Sequence, residues 1–200
     1  MFWVGSIEET LFIRRGMERF DIRRGLIKEV EANGGLGALA KEFFDHVESS
    51  ADNSFEASHG VMTSIEARYE NGALFVDVTN VFPDVGDPEV WAALKPKEQR
   101  EHPAMKASIE DRKRWTSFLD KATGHNSKKR GDKAKEWAKK ASKAKSAISA
   151  AKHFMEMSES IPEDKKGQAE SLIREIEELL QDNDNTKAKG RAEKLNKLFN

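Results

Sequence analysis

The sequence has no cysteine, which excludes disulfides, thiolate zinc sites and a cysteine nucleophile. No apolar run approaches the roughly 18 residues of a membrane-spanning helix, so no membrane role is expected. The opening residues, MFWVGSIEE, lack both a basic flank and a long apolar stretch. They do not read as a signal peptide, and a soluble, cytoplasmic protein is expected. His46, His59, His102, His125 and His153 show no close metal-ligand spacing. The glycines at 34, 35 and 37 follow a helical pattern rather than a strand, so they fail as a phosphate-binding loop. No Ser/His/Asp order stands out. No cofactor, metal or catalytic set is therefore implied.

The most informative stretch is VMTSIEARYENGALFVDVTNV, Val61 to Val81. Asn71-Gly72 suits a two-residue type I′ turn, because both residues tolerate positive φ. That turn sets a register: Glu70 opposite Ala73, Tyr69 opposite Leu74, Ala67 opposite Val76 and Ile65 opposite Val78. The apolar residues of both strands then share one face. Glu66, Arg68, Phe75 and Asp77 share the other, and a slip of one residue would scramble both.

Thr10–Ile13 reads as a first strand running into Arg14-Arg15-Gly16. Asp21 is expected to cap a helix from about Ile22, and a second helical pattern runs from Leu36 to Val47. Ser49 to Asn53 reads as a turn and Ser54–Ser58 as a short strand. Beyond the hairpin, Glu89–Leu94 suits a short helix and Lys95–Pro103 an exposed excursion. Ala104–Thr123 is a clear helix stopped by Gly124. The expected fold class is α+β, one antiparallel sheet with helices on one face, followed by an all-α tail.

Charge divides the chain. Residues 1–127 hold 16 Lys+Arg and 22 Asp+Glu, a net −6, whereas residues 128–200 hold 18 and 13, a net +5. An α+β domain over 1–127 and a helical tail or small bundle over 128–200 are expected. In the tail, Ala134, Trp137, Ala141, Ile148 and Met155 lie on one stripe of a helix over Asp132–Glu159. Ser160 with Glu163 suggests a capping box for a second, acidic helix. Thr186–Phe199 suggests a third.

Several motifs resemble those of a small archaeal family of unknown function, the DUF5611 type, over about residues 9–130. They are Arg14-Arg15-Gly16, Ser58-His59-Gly60 with Ser64-Ile65-Glu66, Leu74-Phe75-Val76-Asp77-Val78, and Phe118 to Gly124. The resemblance implies a TBP-like fold and, by fold analogy, contact with nucleic acid. It supplies no catalytic residues. The chain departs from the pattern at Lys95–Pro103 and beyond about residue 155. The tail is similar in pattern to the helical lid of Hsp70 chaperones.

Residues 128–152 carry ten Lys+Arg and two acids, a net +8. Lys128, Lys129, Arg130, Lys133, Lys139 and Lys140 are the candidate phosphate contacts, with Arg112 and Arg114 upstream. Arg14 and Arg15, near Arg19, Arg23 and Arg24, are a second candidate. Against this, residues 163–184 carry eight acids and three bases, a net −5, and could neutralise the basic helix by folding back. The arginines near residue 20 could equally pair with Glu18 and Asp21. Glu66 and Asp77 should face each other across the hairpin, as an acid/base or cation pair, or with Arg68 bridging them.

The leading expectation is a non-enzymatic binding module that associates with nucleic acid through the basic helix. The rival is a protein-interaction adaptor, in which the stripe of Trp137, Ala141 and Ile148 docks a partner helix or a second copy. A third, enzymatic reading requires a cleft joining His59, Glu66 and Asp77.

Overall fold

Asn71 (φ 50°) and Gly72 (φ 73°) form the turn between β5 (Met62–Glu70) and β6 (Ala73–Val81). The pairing is the expected one: Glu70 faces Ala73, Tyr69 faces Leu74, Ala67 faces Val76 and Ile65 faces Val78. The computed structural model describes residues 12–14, 16–50, 53–158 and 161–199, with the backbone alone at 12–14 and 50. The chain divides into two units, Met1–Arg130 and Gly131–Asn200.

In the first unit the hairpin is the centre of one antiparallel sheet. β4 (Ser54–His59) pairs with β5, and β3 (Asp45–Ser50) pairs with β4. The opposite edge is a broken strand. β1 (Phe12–Arg14) and β2 (Glu18–Asp21) both pair with β6, and Gly16 lies in the gap between them.

Three expectations are corrected here. Asp21 does not cap a helix: it ends β2 and forms an ion pair with Arg19 at 2.6 Å, while the helix begins later as α1 (Leu26–Ala32). The second helix, α2 (Gly35–Ala40), stops well short of Val47, which lies in β3. The excursion after residue 95 contains a helix, α4 (Pro96–Glu101), next to α3 (Pro88–Ala93), which Asp87 caps through the N–H groups of Glu89 and Val90.

One face of the sheet is covered. Phe55, Ile65, Leu74 and Val76 are buried against Leu36 and Ala40 of α2, and against Phe118, Leu119 and Ala122 of α5 (Pro103–Thr123). Phe118 is the hub, with its ring centroid 5.0 Å from Phe44 and 5.5 Å from Phe55 in edge-on geometry. Such pairs add about 0.5–1.5 kcal/mol beyond the area they bury. The Tyr69 hydroxyl donates to the carbonyl of Ala122 at 2.7 Å, pinning the last turn of α5 to β5.

The second unit is helical. α6 (Ser127–Met157) runs into it from the first unit, followed by α7 (Glu163–Gln181) and α8 (Asn185–Leu198). α6 starts earlier than expected, at Ser127, where Asn126 Oδ1 accepts the N–H of Lys129. Ala144, Ala147, Ile148 and Ala151 are buried with Ile173 and Ile176 of α7 and Ala192 and Leu195 of α8. One short core therefore serves all three helices. The expected capping residue Ser160 lies outside the described residues.

Burial pushes the Tyr69 phenol well above its ordinary value of 10.0, because the phenolate would lose its hydration. Above pH 10 the unfolded chain releases this proton and the folded chain retains it, so stability falls as pH rises through that range. Tyr69 is the single tyrosine of the chain. Ultraviolet titration of the phenolate should therefore stay silent past pH 10 and rise only as the fold opens. A smooth titration at the free-phenol value in folded protein would contradict the packing.

Candidate functional site

The basic run of α6 is not uniform. Arg130 is only 7% exposed and turned inward. Its guanidinium donates to Asp120, to the carbonyl of His125 and to Ser127 Oγ. It ties the end of α5 to the start of α6 and is not a surface cation. Lys128 and Lys129 beside it are exposed, with no ion pair among the described residues. Lys133 is half-buried and engaged. Lys140 pairs with Glu136 at 3.3 Å and sits 5.7 Å from the Trp137 ring centroid.

Lys135, Lys139 and Lys143 are different. They stand four residues apart, so they lie along one side of the helix over roughly 12 Å. All three are exposed, and none has an ion pair among the described residues. Between and beside them are Ala138, Ser142 and Ser146, which let an approaching chain come close to the helix. Helix charges are segregated. α6 has ten Lys+Arg and three acids, α8 five and one, and α7 three and six.

The acids of α7 do not cancel this face. Glu175 pairs with Arg191 of α8 at 2.7 Å, Glu177 with Lys152 at 3.0 Å, and Glu163 with Lys166 of its own helix. The apolar stripe, by contrast, is already occupied. Ile148 is buried in the bundle's own core and Ala141 is half-buried. The Trp137 carbonyl accepts from Asn185 of α8 at 3.3 Å.

Among the described residues, the arginines of the first unit are engaged by separate partners or exposed. Arg112 and Arg114 are exposed on α5, and Arg114 donates to the Phe43 carbonyl at 3.3 Å. Arg19 pairs with Asp21, and Arg23 with Glu29 at 2.6 Å. Arg15 and the side chain of Arg14 lie outside the described residues.

The uncovered sheet face is more acidic than the hairpin alone suggests. Glu48 faces Glu56, Glu56 faces Glu66, and Glu66 faces Asp77, a lateral row across four strands. Arg68 does not bridge the row: it pairs with Glu70 at 2.8 Å and lies over Phe75. Asp77 is buried and engaged. Among the described residues no group of His, Asp and Glu could hold a metal ion.

His59 lies on the opposite, helix-bearing side, so the trio with Glu66 and Asp77 is not assembled. Its Nδ1 shares a hydrogen bond with Asp45 Oδ2 at 2.8 Å, and its Nε2 is 3.4 Å from Asp111 Oδ1. Asp111 Oδ2 accepts the N–H of Val61 at 3.0 Å. Gly60, with φ of 53°, makes this approach possible, since a Cβ there would stand 2.1 Å from that oxygen. This clamp joins β3, β4 and α5. The only sequence signal for it is His59-Gly60, which reads locally as turn chemistry.

If Arg130 is a clasp rather than a phosphate contact, Arg130→Met should destabilise the fold by about 2–3 kcal/mol, since Asp120, Ser127 and the His125 carbonyl lose the donor they share. Lys129→Met, at an exposed neighbour, should change stability by no more than about 0.5 kcal/mol. Chemical denaturation of both variants checks the contrast.

Among the described residues no helix is long and apolar enough to cross a membrane. No curated protein and no solved structure matches the chain. A family model described as a domain of unknown function, DUF5611, matches residues 17–136. The match covers the first unit from β2 onward and ends in α6, before the lysine face is complete. With more than half of its length matched, the chain belongs to the DUF5611 family.

Proposed function

We propose that the protein is a non-enzymatic binding module that associates with nucleic acid through the exposed lysine face of α6. The observation that carries this reading is the placement of Lys135, Lys139 and Lys143. They are aligned, exposed and without ion pairs among the described residues; Glu177 of α7 pairs with Lys152, more than two turns further along α6. A row of lysines at this spacing suits a run of backbone phosphates, whose binding releases condensed counterions. Nothing on this face offers a fork for reading base edges, so the reading is of phosphate contact without sequence preference.

The acidic sheet face supports the same assignment by exclusion. Glu48, Glu56 and Glu66 are exposed there, and their field would repel phosphate. The adaptor reading finds less support. The stripe it needs holds Ile148 in the bundle's own core, so a partner helix would have to displace α7 or α8.

Binding of a short duplex, measured across a salt series, tests the proposal. The parent chain should bind at low salt and weaken steeply as salt rises. Replacing Lys135, Lys139 and Lys143 by Ala should lower the slope of log K against log salt by about 3, with the fold intact. An unchanged slope, or no binding at low salt, would overturn the proposal.

A further inference from the structure

A cavity of about 360 Å³ lies in the first unit between the N-terminal half of α5 and the end of the sheet. The two halves of α5 behave differently. Its C-terminal half packs directly on the sheet through Phe118, Leu119 and Ala122. Met105 and Ser108 of its N-terminal half, with Trp115 just past its middle, are spaced so as to fall on one face, and these line the cavity. The floor is Met62 with Val76 and Val78, alternate residues of β6 that point to the covered side of the sheet.

Glu18, Asn80, Ser108, Asp111, Arg112 and Thr116 interrupt this apolar lining, and the first three are the ones that matter here. Asn80 continues the Val76–Val78 alternation, and Glu18 stands opposite Val76 on β2. Ser108 comes from α5 and is 3% exposed. None of the three makes a side-chain hydrogen bond or ion pair among the described residues. No fully enclosed side-chain nitrogen or oxygen lacks a partner there. The Ser108 hydroxyl therefore keeps contact with open space, and the cavity it lines is that space.

Of the charges on the lining, the half-buried Glu18, unpaired among the described residues, points to a cationic ligand. Asp111 is engaged by the N–H of Val61 and by His59. Arg112 is exposed. Glu18 is half-buried beside Val76 and makes no ion pair among the described residues, and Arg112, the cation on the same lining, makes none either. An incoming cation would satisfy Glu18, and an anion would meet two carboxylates next to an apolar floor. The combination of a mostly apolar enclosure and a few convergent polar groups is that of a small-molecule site.

We propose that this cavity binds a small organic cation with an apolar body, its ammonium group on Glu18, its polar edge on Asn80 and Ser108, and its body on Val76, Val78 and Trp115. The site is independent of the lysine face of α6 and holds or fails apart from it.

The probe is phenethylamine, titrated calorimetrically into the full chain alongside phenethyl alcohol and phenylacetate, its neutral and anionic counterparts of similar shape. The amine should bind more tightly than the alcohol, and phenylacetate should not bind. Glu18→Gln should weaken the amine about tenfold and leave the alcohol unchanged, since a charge-assisted contact becomes a neutral one. Ser108→Leu, which fills the cavity, should abolish both. If Ser108→Leu does not fold, the Glu18→Gln comparison decides alone. No binding of the amine, equal binding of amine and alcohol, or amine binding untouched by Glu18→Gln would overturn the assignment.

Discussion

The pairing of Ile65 with Val78 and of Ala67 with Val76 decides what each side of the sheet can do. Side chains alternate strictly along a strand, so the register that buries these residues also puts Glu66 and Asp77 on the other face. The neighbouring strands obey the same parity. Phe55 and Ala57 of β4 join the core, and Glu56 joins the acidic row. A phosphate-binding surface and this core cannot be built on one sheet with this sequence. The covered side is closed by α2 and α5, and the open side has the wrong sign. Any polyanion must be held elsewhere, and the helical unit offers the required charge.

That unit works by separating its tasks around one helix. The side of α6 with Ala144, Ala147, Ile148 and Ala151 is in the bundle core, buried with residues of α7 and α8. The side with Lys135, Lys139 and Lys143 faces solvent. Arg130 marks the limit of the cationic surface. It has the same charge, but it lies buried between Asp120 and the His125 carbonyl, where it fixes how α6 begins. Counting lysines and arginines along the run therefore overstates what a ligand would meet.

How much of this was legible in the sequence follows from how local each cause is. The hairpin register was legible to the residue, because Asn71-Gly72 sets the turn and the two strands alternate cleanly around it. α5 and the three tail helices were legible from apolar spacing and from Gly124. β2 and β3 were not. ERFD and DHVESS are poor strand sequences, and they are strands because β6 and β4 supply their partners. The same holds for the sites. Of the lysine face, only Lys139 is among the contacts expected from the sequence, because exposure and pairing, not charge count, select Lys135 and Lys143. The pairs that remove Arg130, and the Asp45–His59–Asp111 clamp, depend on contacts between separate elements. Of the expected pairing between an acidic and a basic helix the structure shows Lys152 with Glu177, whereas Lys135, Lys139 and Lys143 make no ion pair among the described residues.

The central claim is that phosphate is met by one side of α6 and avoided by the open sheet. Amide chemical-shift mapping of the full chain with a short duplex tests it most directly. The account predicts shifts concentrated over residues 135–146, with Glu48, Glu56 and Glu66 unmoved. Shifts centred on the sheet, or spread evenly over both units, would contradict it.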